Sequence, residues 1–167
     1  VAHEQLFTHA GFPYGAAVAE VEIDPETGSL ELVRYAAVDD VGRAINPLVL
    51  HGQTHGGIAQ GVGQALWEDM HYDPDSGQPL TASFMDYCMP RADILPSYRT
   101  GLFEVHSPSN PLGVRAGGEG GTTPALGATI NAVADALAPL GITHIDMPAS
   151  PRRIWEAIQK ARGAGRS

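Results

Sequence analysis

The passage from Pro47 to Trp67 reads as one helix, yet it contains Gly52, Gly56, Gly57, Gly61 and Gly63, and this combination restricts the fold more than any other stretch. A glycine inside a helix costs roughly 0.8–1 kcal/mol relative to alanine, so five of them call for an offset outside the helix itself. The start is well marked: Asn46 suits an N-cap and Pro47 the first helical position. At about 100° per residue, Gln53, Gly57, Gln60 and Gln64 share a narrow stripe, while Ile58, Val62, Ala65 and Leu66 lie opposite. Two readings fit. Either a polar ligand or another backbone lies along the amide and glycine stripe, or the glutamines face solvent and the glycines pack on a neighbouring element. Spacing alone slightly favours the second.

A second glycine-rich passage, Arg115-Ala-Gly-Gly-Glu119-Gly-Gly-Thr-Thr-Pro124, sets one carboxylate between two glycine pairs ahead of an alanine-rich helical segment. Four flexible residues around one ionisable group imply close approach to this backbone or an unusual turn. Near a helix start the macrodipole favours an ionised carboxylate, which suits a base, and neighbouring glycine amides can form an anion-binding nest. The same position equally suits an ordinary acidic helix cap.

The other segments follow from local patterning. Ala16 to Ile23 and Leu30 to Val38, joined by Asp24-Pro-Glu-Thr-Gly28, form a hairpin. A second hairpin is expected between Glu68 and Arg91, turning at Asp73 to Gly77, and a strand from Tyr98 to His106. Thr122 or Thr123 is the expected cap of a helix over Ala125 to Leu140, stopped by Gly141. A short strand at Ile142 to Ile145 and a helix from Pro151 to Ala161 complete an α+β fold. Its expected form is a mainly antiparallel twisted sheet with two long helices packed on it. Residues 1–12 read as a segment excised from a longer chain, 13–161 as the domain and 162–167 as a flexible tail.

Several function classes fall away. A net charge of −9 with ten scattered Lys and Arg residues is wrong for a phosphate-backbone footprint, so no nucleic-acid partner is expected. No run approaches a membrane span or a signal peptide, and a soluble, cytoplasmic protein is expected. The single cysteine, Cys88, excludes an internal disulfide or a Cys₄ cluster, and its thiol is expected to be buried and inert. His51 and His55 have zincin spacing but lack the glutamate of that motif; His3, His9, His71, His106 and His144 are dispersed. Walker A, G-x-G-x-x-G and G-x-S-x-G signatures do not occur.

Three passages taken in order, Val38-Asp-Asp-Val-Gly-Arg-Ala-Ile-Asn-Pro47, the Gly52 to Leu66 run and Asn110-Pro-Leu-Gly-Val-Arg-Ala-Gly-Gly-Glu-Gly-Gly121, resemble the molybdenum hydroxylases. The likeness is to the C-terminal part of their molybdopterin-binding large subunit, in the family of xanthine dehydrogenases, aldehyde oxidases and aerobic carbon monoxide dehydrogenases. It covers about Pro13 to Ala161. The resemblance implies that Glu119 is a general base at molybdenum and that Gln53 lies near the pterin. It further implies that Gly52, Gly56, Gly57, Gln60, Gly118, Gly120 and Gly121 belong to the cofactor surface, with no direct metal ligand from this chain.

The same resemblance implies oxidative hydroxylation of an electrophilic carbon in a small molecule such as an aldehyde or N-heterocycle. Molybdopterin, in the cytosine dinucleotide form, is the implied cofactor. Iron–sulfur clusters and FAD would sit on other domains or subunits. The implied partners are the remainder of the large subunit, an iron–sulfur subunit and an FAD subunit; the isolated chain would be inactive and free of cofactor. Cys88 does not match the active-site cysteine loop of carbon monoxide dehydrogenases. Two other readings remain: a non-catalytic interaction or scaffold subunit that keeps the fold, and a metal-independent α+β enzyme using Glu119.

Overall fold

The computed structural model describes residues 11–164. Strands β1 (Tyr14–Ile23) and β2 (Leu30–Asp40) are followed by helix α1 (Pro47–Leu66), strand β3 (Arg99–Leu102) and helices α2 (Thr122–Leu137) and α3 (Pro151–Ala164). Single 3-10 turns lie at Ala92–Ile94 and Ala138–Leu140.

The first hairpin forms as its alternation and turn chemistry require. The Asp24 carboxylate accepts the Glu26 amide at 2.9 Å and the Thr27 hydroxyl at 2.7 Å, and Gly28 takes φ +73° to bring the chain back. β1 and β2 then pair antiparallel, with Ala17 opposite Ala37 and Gly15 opposite Asp39. β3 joins the other edge of β2 in parallel, Ala36 with Arg99 through Asp39 with Leu102. The three-stranded sheet, ordered β1-β2-β3, is therefore mixed: its long β1–β2 pairing is antiparallel, as expected, and only the short β3 pairing is parallel. Parallel neighbours need a long crossover connection, and α1 with the segment after it supplies one.

Four local expectations give way. Around Asp73 only a bridge between Tyr72 and Pro79 survives of the second hairpin. An isolated two-stranded ribbon is marginal without a third strand or a helix to cover it. Residues 142–145 form no strand, although Ile145 is buried and belongs to the core. Cys88 is exposed, because it lies in the irregular passage between α1 and β3 that contributes little to the core. α3 also runs past Ala161, and Arg162, expected in a loose tail, pairs with Glu26 at 2.8 Å. Residues 165–167 of that tail and 1–10 of the N-terminal segment lie outside the described residues.

The core joins one face of the sheet to the helices: Leu32, Tyr35 and Ala37 of β2 meet Ile58, Val62 and Leu66 of α1, Val133 and Leu137 of α2, and Ile154 and Ile158 of α3. Burying each larger aliphatic side chain is worth roughly 1.5–3 kcal/mol relative to exposing it. On β2, Tyr35, Ala37 and Asp39 alternate onto this inner face, so the strand delivers a carboxylate to the helix layer at its C-terminal end. No described helix is long and apolar enough to cross a membrane.

Candidate active site

Four of the five glycines of α1 divide into two groups, while Gly63 packs against Glu68 and Pro90. A Cβ on Gly57 would lie 2.9 Å from the Thr122 nitrogen, and one on Gly61 would lie 2.5 Å from the Thr122 oxygen and 2.7 Å from Ala125 Cβ. Gly121 answers from the other side, abutting the Thr54 carbonyl and, at 3.0 Å, the Ile58 nitrogen. These residues let α1 and the start of α2 meet backbone to backbone. Gly57 and Gly121, expected on the cofactor surface, are buried in this seam. Gly52, Gly56 and Gly118 are exposed, and beyond their own chain neighbours and helix backbone no described residue lies within 4 Å of a Cβ placed on any of them.

Between these groups the two glycine-rich passages touch. Gln53 donates from Nε2 to the Gly118 carbonyl at 2.7 Å, and Gly117 rests on Leu50 and Val41. Glu119 follows, its own carbonyl accepting the Thr123 amide at 3.2 Å as α2 begins. The N-cap of α2 is Gly121, not Thr122 or Thr123, and no side chain caps it. The Glu119 side chain is exposed and makes no hydrogen bond or ion pair with the described residues. It is therefore not acting as a helix cap. Gln60 is exposed on the same helix, and Gly120 sits with a notional Cβ 3.8 Å from the Asp39 carboxylate.

Glu119 lines a cavity of about 540 Å³ with Tyr14, Gly15, Asp39, Gly118 and Thr123. Asp39, at the end of β2, reaches this cavity, and its neighbour Asp40 does not line it. Asp39 is 5% exposed and takes the Thr54 hydroxyl at 3.3 Å; burial raises its carboxyl above the usual range, and that hydrogen bond only partly opposes the shift. Burial pushes Asp40 upward too, but the amides of Val105 at 3.0 Å and Gly42 at 2.8 Å, with Arg115 and His106, outweigh it and leave the carboxyl below the usual range. Sequence reasoning passed over Asp39, Asp40 and Arg115 as site residues. The one signal was an Asp-Asp pair closing an apolar strand, which nothing local distinguishes from a loop start.

His51 and His55 are engaged elsewhere. His51 Nδ1 and His55 Nε2 both meet the Thr100 hydroxyl, at 2.8 and 3.0 Å, and so tie α1 to β3. Among the described residues no group of three or more His, Cys, Asp or Glu side chains could hold a metal ion. His3 and His9 lie outside the described residues.

Residues 2–96 match the family described as the molybdopterin cofactor-binding domain. The chain belongs to this family. Its relatives are subunits of molybdenum hydroxylases. The chain is 38% identical over 156 residues to the 6-hydroxypseudooxynicotine dehydrogenase complex subunit gamma of Paenarthrobacter nicotinovorans, covering 93% of this chain and 19% of that one. It is 34% identical to the carbon monoxide dehydrogenase large chain of Hydrogenophaga pseudoflava, over 89% of this chain and 18% of the relative. Among solved structures, reconstituted CO dehydrogenase from Oligotropha carboxidovorans superposes with a TM-score of 0.86 at 35% identity, over 91% of this chain and 19% of that one. Quinoline 2-oxidoreductase from Pseudomonas putida 86 gives 0.80 at 41% identity, over 84% and 18%. The molybdopterin cofactor-binding domain described here thus spans about a fifth of the length of these relatives.

The surface fits the group that the family name specifies. Gly52, Gly56 and Gly118 leave open the space that side chains would fill, beside an amide able to hydrogen-bond a polar ring. Gln53 commits one N–H to Gly118, which leaves its second N–H and Oε1 for another partner.

Proposed function

We propose that this chain is the base-bearing part of a molybdenum-dependent oxidoreductase that hydroxylates an electrophilic carbon, in an aldehyde, N-heterocycle or related small molecule. In this reading Gln53, Gly52, Gly56, Gln60, Gly118 and Gly120 border the molybdopterin, in its cytosine dinucleotide form. When bound, the molybdenum cofactor supplies the two-electron redox chemistry. The chain supplies the proton acceptor: Glu119 takes a proton on its carboxylate during turnover and returns it to solvent. Glycines on either side allow that carboxylate to approach the reacting atoms closely, and the Gln53 bond fixes the carbonyl immediately before it.

The observation that carries this reading is the 2.7 Å bond from Gln53 to Gly118, which brings two passages 65 positions apart onto one surface beside a carboxylate, Glu119, that makes no hydrogen bond or ion pair with the described residues. The remainder of the active site would come from the rest of a longer large subunit, with an iron–sulfur subunit and an FAD subunit carrying electrons away. On its own the chain would then bind cofactor weakly and turn nothing over, since a group held from several domains loses most of its contacts when one is isolated.

Glu119→Gln in the assembled enzyme tests the assignment. Turnover should fall by at least about 10²-fold, the lower range for loss of a general base, with molybdenum and pterin content unchanged. Wild-type turnover in that variant rules the base assignment out.

A further inference from the structure

Arg115 begins the run that leads to Glu119, and its guanidinium reaches parts of the chain far away in sequence. Nη1 donates to the Phe12 carbonyl at 3.1 Å and Nε to the Val105 carbonyl at 3.3 Å. Nε also lies 3.7 Å from Asp40 Oδ2, and the guanidinium carbon stands 5.2 Å from the centre of the Tyr14 ring. The backbone is fastened as well, with the Arg115 amide on the Val41 carbonyl at 2.7 Å. Both ionic side chains are nearly covered, at 13% and 11% exposure. A pair so shielded is weakly screened by salt, and the two carbonyl bonds hold the guanidinium in place.

The placement matters because Phe12 leads directly into Pro13, Tyr14 and Gly15, which form one wall of the Glu119 cavity. The loop that carries Glu119 forms another. One planar fork therefore bonds to the chain just before the first wall, lies over a ring of that wall and starts the second. Asp40 supplies the anchor, itself held by the Gly42 and Val105 amides.

We propose that Arg115 is a positioning residue that keeps the Glu119 loop and the Pro13–Gly15 wall in one register. The proposal rests on Glu119 being the base, and it adds a second requirement, that the base be aimed from behind. Lysine can keep the charge opposite Asp40 but has no rigid fork for two carbonyls and no plane to lie over Tyr14. Displacing a reacting group by about 1 Å can cost about 10²-fold in rate, so slack here reaches the chemistry.

Hydrogen exchange read by mass spectrometry on the chain, as wild type, Arg115→Lys and Asp40→Asn, tests the tether without any cofactor. Exchange in peptides covering residues 11–15 and 113–121 should quicken together by about tenfold, a local opening, while α3 and the β1–β2 turn keep their protection. Unchanged exchange in either peptide overturns the proposal, and so does a uniform acceleration across the chain, which makes Arg115 merely a folding residue. In the assembled enzyme, Arg115→Lys should lower kcat about ten- to a hundredfold with KM and molybdenum content nearly constant. A rise in KM at unchanged kcat also overturns it. Glu119→Gln run alongside separates the two readings: if that variant turns over normally the base assignment fails, whereas the exchange result reports on the tether alone.

Discussion

Gly57, Gly61 and Gly121 occupy the seam between α1 and α2, whereas Gly52, Gly56 and Gly118 border open space less than two helical turns away, and the two groups answer different physical needs. In the seam the missing side chains are the packing: two backbones close on each other, and the cost in helix propensity is offset by contacts within the chain. On the open side nothing among the described residues offsets it. A helix that tolerates bare backbone there has its compensation in something outside these residues, which is the physical content of the proposal that a cofactor lies along it.

Substitution by alanine should separate the two groups sharply. Gly61→Ala has the larger effect, because the added methyl meets the Thr122 oxygen at 2.5 Å and Ala125 Cβ at 2.7 Å, neither of them the end of a flexible side chain. Such overpacking costs about 1–3 kcal/mol, read as a lowered urea midpoint of the chain. A neutral outcome would mean that the seam is looser than its distances indicate. Gly52→Ala and Gly56→Ala should do the opposite. Each should stabilise the isolated chain by up to about 1 kcal/mol through helix propensity, while reducing molybdopterin content in the assembled enzyme. Stabilisation with full cofactor content would remove the open glycines from the proposed cofactor surface.

The same division governs what could be read from sequence. The β1–β2 hairpin and α1 were legible because their signals are local: an Asp-Pro-Glu-Thr-Gly turn with alternation on both sides, and Asn46-Pro47, whose Asn46 carboxamide indeed accepts the Val49 amide at 3.2 Å. Helical spacing also assigned Gln53 to the stripe, and the two passages do meet through Gly118. It could not say which stripe glycines were buried, because that depends on where α2 crosses. The parallel placing of β3 was illegible for the same reason, since an alternating strand carries no mark of its neighbour's direction. Arg115 was beyond local reach altogether: its partners Phe12 and Asp40 are far off in sequence, and only the folded chain brings them to one guanidinium.

Asp39 and Asp40 carry the comparison down to its smallest measurable consequence, because neighbouring carboxylates at the end of one strand are pushed in opposite directions. Burial raises Asp39, so the folded chain prefers its protonated form. Its contribution to stability is complete below the ordinary carboxylate value of about 3.9 and is lost as pH rises through the folded value. Asp40, lowered by its two amides and Arg115 against the opposing effect of burial, stabilises above about 3.9, and that contribution is lost as pH falls through its folded value. Asp39→Asn should therefore raise the urea midpoint at neutral pH and leave it unchanged in acid, while Asp40→Asn should lower it at neutral pH and matter little in acid. Midpoints measured across the acid-to-neutral range would give two difference curves of opposite sign that converge on the acid side. If both variants shift stability the same way at neutral pH, the two carboxylates do not divide into one destabilised by burial and one that anchors. Asp40 would then lose its place as the fixed point from which Arg115 aims the Glu119 loop.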